Sequence, residues 1–585
     1  MKSLLYLNKY FAKYKLRLAL GFLFILLSNS AQVYIPILLK ESIDALRTNI
    51  TYEILLRYSL LIVGTAIFGG LFRFLIRVTI IIVSRKIEYD LRSDFWKHIQ
   101  SLPTKFFQNN STGDIMAHVT NDINAVRMYI GPAVMYSVDT VTKLTIVIII
   151  MFSINKELTV YALLPLPLLS FFVYRMSKKI HVMFDKIQEK FSQLTKRAQE
   201  SFSGIRVVKS YVREENEIKQ FTKLSDEYLK RNMDKIKIQA LFVPMLFLIT
   251  GISVIIVIWL GGSMVIENKM TLGEIVAFIA YLSILIWPVI AFGWIINIVQ
   301  QASASMKRLL KIFNEKSDVE NTNNKENPLT NISSIKGNLE FRNVYFKYSD
   351  KLDYVLKNIS FKINNGETLA IVGHTGSGKS TLVNLIPRLF EVTKGEILID
   401  GINIKKIPKN ILRKNIGMVS QETFLFSDTL FSNIAYGLSE PDEQVIFEAS
   451  ETAQLKNEVE LFTQGFETVL GERGITLSGG QKQRTSIARA LAVNPKILIL
   501  DDSFSAVDTN TEEEILQRLK KFLKGRTGII ISHRISTVKH ADNIIVLKEG
   551  EIIESGTHSK LMELGGVYSE LYNKQLLEEE LKEMN

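Results

Sequence analysis

Residues 369–381 read LAIVGHTGSGKST, and this stretch decides the fold of the second half of the 585-residue chain. It fits the pattern G-x-x-x-x-G-K-[ST], placed between an apolar strand at 369–372 and an apolar helix. The glycines let successive backbone N–H groups surround phosphate oxygens, and the start of the following helix adds partial positive charge. Lys379 is then suited to contact the terminal phosphates of a nucleotide, and the Ser380 hydroxyl is suited to ligate Mg²⁺. The motif therefore predicts an α/β P-loop nucleotide-binding domain.

The predicted phosphate-binding residues are Gly373, His374, Thr375, Gly376, Ser377, Gly378, Lys379, Ser380 and Thr381.

A second stretch, ILILDDSFSAVD at residues 497–508, places two adjacent carboxylates directly after four aliphatic residues. The aliphatic run is typical of a buried strand. A P-loop nucleotidase needs an aspartate at the end of such a strand to hold Mg²⁺, and Asp501 occupies that position. The next residue commonly carries the carboxylate that polarises the attacking water, and here it is Asp502.

The first half of the chain is predicted to lie in a membrane. Six apolar stretches are long enough to cross a bilayer, near residues 18–39, 55–83, 130–152, 158–176, 240–266 and 273–299. The long, charged connections after the second and fourth stretches are patterned like helices and are rich in Lys and Arg, as is the N-terminus. The positive-inside rule therefore places these connections and both termini in the cytoplasm.

The amino-acid composition argues against a nucleic-acid partner and against cysteine chemistry. The net charge of +12 would suggest nucleic acid in a soluble protein, but cytoplasmic Lys and Arg explain it in a membrane protein, so we expect no nucleic-acid partner. Because the chain has no cysteine, disulfides, thiolate chemistry and Cys-based metal sites are excluded.

The expected architecture is an α-helical transmembrane domain with long intracellular extensions, fused to an α/β nucleotide-binding domain. We predict the transmembrane domain at residues 1–313, a polar, Asn-rich linker at 314–337, and the nucleotide-binding domain at 338–585. The final stretch, QLLEEELKEMN, is predicted to form a solvated acidic helix, with docking of a partner as the alternative.

Residues 477–481 read LSGGQ and lead into the helical run KQRTSIARALAVNP. With this motif the chain resembles the ATP-binding cassette (ABC) transporters of the exporter type over essentially its whole length, since six spans followed by one cassette is the layout of a half-transporter. The resemblance implies ATP and Mg²⁺ as cofactors, and two cassettes paired head to tail. In this arrangement each ATP lies between the P-loop of one chain and the LSGGQ motif, called the signature, of the other chain. The resemblance therefore implies that Ser478, Gly479, Gly480 and Gln481 contact the ATP of a partner chain.

Three further nucleotide contacts are implied by the same resemblance. Tyr348 in VYFKYSD matches the aromatic that stacks on adenine, although an ordinary strand aromatic is the alternative. Gln421 in MVSQETFLF matches the Q-loop glutamine, which reaches the Mg²⁺ and the nucleophilic water, so the resemblance implies Gln421 as a metal ligand beside Ser380 and Asp501. His533 in IISHRIS matches the switch histidine, which contacts the γ-phosphate.

Other matching segments concern communication between domains. Residues 505–508, SAVD, match the D-loop, which crosses to the partner cassette, and Glu472 in GERG resembles an exporter-specific loop that touches the intracellular helices. Residues 111–126 and 200–215 resemble the segments that carry the coupling helices, with plain solvated helix as the alternative.

Asp502 departs from the family pattern, in which the corresponding residue is usually glutamate, the general base for hydrolysis. The missing methylene draws the carboxylate back by on the order of 1 Å, which can lower the rate about a hundredfold. We therefore expect ATP to bind at this chain's own site but to be cleaved slowly. The pattern resembles the degenerate half of bacterial heterodimeric multidrug exporters and favours a different half-transporter as partner. A homodimer with two equal, slow sites and a mainly regulatory ATP-binding subunit are the alternatives.

The spans carry few indications of the substrate. Asp139 and Lys143 in VDTVTKL are four residues apart on one helix face, in or near the bilayer, where charges pair or line a wet cavity. A structural ion pair and a substrate role both remain open. By resemblance, we expect a multi-pass protein of a bacterial cytoplasmic membrane that exports amphipathic drugs or lipids.

Overall fold

The computed structural model describes residues 2–48, 51–316, 335–471, 474 and 476–583. The chain divides into two compact units, Met1–Gln100 with Thr112–Glu315, and Ser101–Ser111 with Lys316–Asn585. The predicted fold class is confirmed, because long apolar helices form the first unit and α/β sheets form most of the second. Most of the predicted linker, residues 317–334, and Glu472 lie outside the described residues.

Within the described residues, six long helices are apolar enough to cross a membrane by length and composition. They are α1 (Lys15–Arg47), α2 (Tyr52–Ser101), α3 (Thr112–Ile154), α4 (Lys156–Ser203), α5 (Glu214–Ile266) and α6 (Leu272–Phe313). Each predicted apolar stretch falls within one of them. Helices α2, α4 and α5 have 50, 48 and 53 residues, far more than the ~20 that a bilayer requires. The charged connections therefore continue as helix beyond the apolar segments, as their pattern predicted.

Shorter elements complete the first unit. A 3₁₀-helix (Lys2–Leu7) and a short α-helix (Asn8–Lys13) precede α1, and another short helix (Ile205–Ser210) lies between α4 and α5. Three π-helical turns interrupt α2 and α3, at Arg77–Ile81, His118–Asp122 and Tyr129–Ala133.

Helices α1 and α6 are joined at the start of α6. Thr271 and Glu274 form a capping box there, and the Asp44 carboxylate accepts hydrogen bonds from the Thr271 hydroxyl at 2.8 Å and the Gly273 N–H at 3.0 Å. Lys40 pairs with Glu274 at 2.8 Å. A Cβ on Gly273 would lie 2.3 Å from the Lys40 carbonyl oxygen, so only glycine permits this close approach.

In the part of the second unit that the structure describes, ten strands form two sheets. They are β1 (Leu339–Phe346), β2 (Leu356–Ile363), β3 (Thr368–Val372), β4 (Lys394–Ile399), β5 (Ile402–Asn403), β6 (Ile416–Val419), β7 (Ile497–Asp501), β8 (Thr527–Ile531), β9 (Asn543–Lys548) and β10 (Glu551–Gly556). The smaller sheet is antiparallel with the order β2-β1-β4-β5. The larger has the order β10-β9-β3-β8-β7-β6, and all its strands are parallel except β10.

The α-helices among the described residues of this unit are a short one at Thr104–Asn109 and α7 (Lys379–Leu385), α8 (Lys409–Lys414), α9 (Leu430–Ala435), α10 (Glu443–Thr452), α11 (Lys456–Val459), α12 (Gly479–Ala492), α13 (Thr509–Phe522), α14 (Ile535–Val538), α15 (His558–Leu564) and α16 (Val567–Glu583).

The larger sheet is buried on both faces. Along β3, Ala370 and Val372 belong to one hydrophobic cluster, whereas Leu369 and Ile371 belong to another. Successive side chains of a strand point to opposite faces, so the two clusters cover the two faces of the sheet. This explains why the central strands read as continuous aliphatic runs rather than as alternating patterns.

Strand order positions the predicted site. The loops after β3, β8, β7 and β6 follow neighbouring parallel strands, and they therefore emerge at one edge of the sheet. These four loops carry the P-loop, His533, the two aspartates and Gln421 respectively.

Candidate functional site

The P-loop connects β3 to α7 in a backbone path that only glycine permits at two positions. Gly373 and Gly378 have φ of +150° and +99°. A Cβ on Gly373 would lie 2.2 Å from the Leu547 carbonyl oxygen, and one on Gly378 would lie 3.2 Å from that of Val355. The loop thus packs closely against the backbone of β9 and of the residue that precedes β2. Its tip at His374, Thr375 and Gly376 is exposed.

The Lys379 side chain is bonded to the inner side of this loop. Its ammonium donates to the carbonyl oxygens of Gly373 at 2.7 Å and His374 at 2.9 Å, and its side chain is buried. Burial lowers the pKa of Lys379, while the negative charges of Asp501 and Asp502 oppose this effect. The cation is therefore fixed beneath the loop, where phosphate oxygens would be attracted to it.

Tyr348 lies beside the P-loop helix. Its hydroxyl is 2.9 Å from the Thr381 hydroxyl, and its ring makes edge contacts with Phe346 and Phe390, with centroids 4.9 and 5.3 Å away. The ring is half-buried. Stacking on adenine stays a prediction, and the observed contacts fix the ring next to the loop that would bind the phosphates.

Asp501 ends β7 and is almost fully buried. Only 3% of its surface is exposed, and its Oδ1 has no hydrogen-bond partner among the described residues. Burial raises the pKa of the Asp501 carboxyl and the neighbouring Asp502 raises it further, whereas the Ser380 hydroxyl and the Lys379 charge lower it. A buried carboxylate with an unpartnered oxygen next to a hydroxyl fits Mg²⁺, which is commonly held by one or two carboxylates together with phosphates.

Asp502 begins the loop after β7 in an unusual backbone conformation. Its φ is +46°, a left-handed region that aspartate adopts more readily than most residues. Its N–H donates to the Ile531 carbonyl at 2.9 Å, and its own carbonyl accepts from the Ser505 hydroxyl at 3.3 Å. Because the backbone is bonded on both sides, it resists a shift that would make up for the short side chain.

The signature residues form the start of α12. Ser478 is the N-cap in a capping box, in which its hydroxyl accepts from the Gln481 N–H at 3.3 Å and the Gln481 side chain accepts from the Ser478 N–H at 2.8 Å. Gly479 is exposed, and a Cβ on Gly480 would lie 2.8 Å from the Ala506 carbonyl oxygen. Within the described part of the chain, no hydrogen bond joins these residues to the P-loop. Gln481 thus has a local capping role that the motif did not predict.

Two residues that the sequence did not single out fix loops at the site: Gln483 supports the D-loop at residues 505–508, and Glu512 supports the loop that carries His533. The Gln483 amide donates to the Ser505 hydroxyl at 2.8 Å and accepts from the Ala506 N–H at 2.9 Å. Glu512 is 3% exposed and accepts from Arg534, in the loop of the predicted switch histidine, and from Thr537. Both pairings are tertiary, and no local signal in the sequence could have found them.

The side chains of His533 and Gln421 are exposed at the same edge of the sheet. His533 follows β8, which lies between β3 and β7, and Gln421 follows β6, which lies beside β7. The fold therefore brings these two residues, both aspartates and the P-loop to one side of the domain, and their catalytic roles stay predictions.

The first unit contains a polar cluster that includes Asp139 and Lys143. Lys143 is 3.2 Å from Asp139 and is itself buried. The Asn29 amide of α1 donates to the Asp139 carbonyl at 3.2 Å and to the Thr142 hydroxyl at 3.3 Å. The i, i+4 ion pair, one of the two alternatives that the sequence left open, is formed, and it lies at the contact of α1 with α3.

Comparisons with known proteins agree with this organisation. The family model for the ABC transporter transmembrane region matches residues 18–289, and the model for the ABC transporter domain matches residues 356–505. The multidrug resistance-like ATP-binding protein MdlA of Buchnera aphidicola subsp. Schizaphis graminum is 36% identical over 98% of this chain and 97% of its own length. An ATP-dependent lipid A-core flippase of Syntrophus aciditrophicus is 33% identical over 97% of this chain and 93% of its own.

A solved structure is similar over almost the whole length as well. It is a bacterial Atm1-family ABC exporter with ATP bound, which superposes with a TM-score of 0.78 at 27% identity and covers 96% of this chain and 99% of its own.

Proposed function

Because this chain belongs to the ABC transporter family, as an exporter half-transporter with one transmembrane domain and one cassette, we propose that it uses ATP to export amphipathic drugs or lipids. The observation that carries the proposal is the union, in one chain, of six apolar helices with a domain that bears both a P-loop and a signature. The names of its relatives, a multidrug resistance-like protein and a lipid A-core flippase, support this substrate class. We further propose that the cassette and both termini are cytoplasmic, as the Lys- and Arg-rich connections predict.

At its own nucleotide site, each group has a distinct role in the proposal. The backbone amides of the P-loop and Lys379 bind the phosphates, and Tyr348 stacks on adenine. Asp501 and Ser380 hold Mg²⁺, which neutralises charge on the phosphates when it is bound. Gln421 is proposed to contact Mg²⁺ and the attacking water, and His533 to contact the γ-phosphate.

The signature is proposed to act on the nucleotide of a second cassette. Ser478 and Gly479 are exposed, and the capping box fixes the hydroxyl at the start of α12. Among the described residues, their polar groups make no hydrogen bond to this chain's own P-loop, which leaves them available to an opposing phosphate.

The second cassette is proposed to belong to a different chain. Asp502 weakens hydrolysis at this chain's own site, while Lys379, Asp501 and the signature are intact. That combination suits a pair in which the partner supplies the working general base and this chain supplies the signature that completes the partner's site. A homodimer with two slow sites is the competing outcome of the experiments below.

Reconstituted transport tests the proposal. Full-length chain, purified through a tag together with any chain that accompanies it, would be placed in inside-out proteoliposomes. We expect ATP-dependent uptake of a fluorescent amphipathic cation, or ATP-dependent flipping of a fluorescent phospholipid, and loss of either activity with Lys379→Ala. Absence of ATP-dependent movement of both probes, in vesicles that retain ATPase activity, would refute the proposed substrate class.

A further inference from the structure

Gln575 connects the C-terminal helix α16 to the switch loop, which comprises residues 532–535. Its amide nitrogen donates to the His533 carbonyl oxygen, and its amide oxygen accepts from the Ile535 N–H at 2.8 Å. One side chain thus bonds two backbone groups that lie on either side of Arg534. A carboxamide can do this because it carries a donor and an acceptor on the same carbon.

Helix α16 presents this amide from a well-anchored position. Tyr568 is fully buried in the core, and its hydroxyl is 2.8 Å from His558 Nδ1. The Glu554 carboxylate accepts from the N–H groups of Val567 at 2.6 Å and Tyr568 at 3.0 Å, at the first turn of the helix. Gln575 is seven residues beyond Tyr568 and therefore lies on the same helix face. The anchor that fixes Tyr568 also directs Gln575 towards the switch loop.

The position of the His533 imidazole depends on its backbone. The imidazole is exposed and makes no hydrogen bond within the described residues. The flanking residues are bonded elsewhere: the Ser532 hydroxyl accepts from the Arg534 N–H at 2.9 Å, and the Arg534 guanidinium donates to Glu512. The His533 carbonyl is bonded to Gln575 instead, so Gln575 constrains the peptide unit that sets the direction of the histidine.

We propose that Gln575 is a positioning residue, which clasps the switch loop on both sides of Arg534 and so directs His533 towards the nucleotide. The proposal rests on the proposed contact of His533 with the γ-phosphate. Without this clasp, which consists of the two hydrogen bonds of the Gln575 amide, the imidazole is no longer directed towards the nucleotide. ATP at this chain's P-loop is then released faster. We expect an increase of about tenfold, the factor that a weakened hydrogen bond to a charged oxygen produces.

The test measures release of bound nucleotide rather than turnover, because Asp502 is expected to make hydrolysis at this site slow. Full-length chain in lipid nanodiscs, with its co-purified partner, would be loaded with Mg²⁺ and radiolabelled ATP and then chased with unlabelled ATP. The variants are His533→Ala, Gln575→Ala, the double variant, and Lys574→Ala as a matched control at the neighbouring exposed position. We expect both single variants to release label faster, the double variant to match His533→Ala, and the control to match the wild type.

A conservative variant separates positioning from folding. The carboxylate of Gln575→Glu can accept from the Ile535 N–H but cannot donate to the His533 carbonyl, whereas the protonated acid can do both. Release of ATP from Gln575→Glu should therefore be fast at pH 8, and its rate should fall towards the wild-type rate as the pH is lowered to about 4.3 and below, the pKa of an ordinary glutamate. The wild type measured over the same pH range corrects for other effects of pH on the release of ATP.

Three results would overturn the inference. If His533→Ala releases ATP faster but Gln575→Ala does not, the clasp has no role, and the proposed nucleotide site stands. If the two effects multiply in the double variant, Gln575 acts on the fold and not through the histidine. If His533→Ala itself releases ATP at the wild-type rate, the proposed role of the histidine fails, and the clasp fails with it.

Discussion

Replacing Asp502 by glutamate should restore hydrolysis at this chain's own nucleotide site. The backbone of Asp502 is bonded to Ile531 and to Ser505, so the added methylene should advance the carboxylate by about 1 Å rather than displace the loop. A displacement of that size is worth about a hundredfold in rate, or about 2.7 kcal/mol of activation free energy. Glutamate enters the left-handed region at φ of +46° less readily than aspartate, which reduces the expected gain to between about tenfold and about a hundredfold.

Single-turnover hydrolysis by the purified complex measures this gain. With protein in excess over labelled ATP, we expect a fast phase from the partner's P-loop and a slow phase from this chain's. Asp502→Glu should accelerate only the slow phase, and Asp353→Glu, the same change at an exposed loop residue, should alter neither. Asp502→Asn should slow the slow phase by less than about tenfold, because a misplaced base contributes little. A slow phase that Asp502→Glu leaves unchanged would refute the reasoning from side-chain length.

Three other changes test separate parts of the site. Asp501→Asn should raise the melting temperature of the nucleotide-free chain at neutral pH, because the pKa of Asp501 is raised in the folded chain and its stabilising contribution, present below the unfolded pKa, is lost as the pH rises through the folded pKa. The same substitution should slow the slow phase of hydrolysis, which comes from this chain's own site, more than about a hundredfold. A melting curve that the substitution leaves unchanged would contradict the first expectation. Tyr348→Ala should weaken ATP binding about tenfold, because it removes the stacking ring. Tyr348→Phe loses only the contact with Thr381 and should weaken binding less than about threefold. Equal losses of affinity for the two variants in a binding titration would argue against stacking. Lys143→Ala should destabilise the membrane domain by about 2–3 kcal/mol in detergent unfolding, because it leaves Asp139 unpaired. The double variant with Asp139→Ala should regain most of this stability, and a double variant no more stable than Lys143→Ala would contradict a structural role of the pair.

Much of the fold could be predicted because its signals are local. The apolar runs that became α1 to α6 are far longer than any core helix needs, and the aliphatic runs of β3 and β7 mark strands that are buried on both faces. The glycines of the P-loop were predictable for a similar reason, since their positive φ values and close backbone contacts admit no other residue.

The remaining features depend on contacts between residues distant in the chain. His533 lies at the same edge of the sheet as Asp501 because β8 lies between β3 and β7. No local sequence pattern specifies this order of the strands. The left-handed conformation of Asp502 follows from bonds to Ile531 and Ser505, and the pairings of Gln483, Glu512 and Gln575 are tertiary. The segment QLLEEELKEMN was predicted as a solvated helix, yet its first residue contacts the switch loop.

The most direct test compares ATP turnover by the purified chain alone with turnover by the complex isolated from its native membrane, in the same lipid. We predict low turnover for the chain alone and high turnover for the complex. In the complex, Gly480→Ala in this chain should reduce turnover about a hundredfold, since its Cβ would lie 2.8 Å from the Ala506 carbonyl and displace the signature from the opposing nucleotide. Asp502→Asn should change turnover less than about twofold, because in the proposed complex the partner's site hydrolyses most of the ATP. Rapid turnover by the chain alone, or a complex that tolerates Gly480→Ala, would contradict the account.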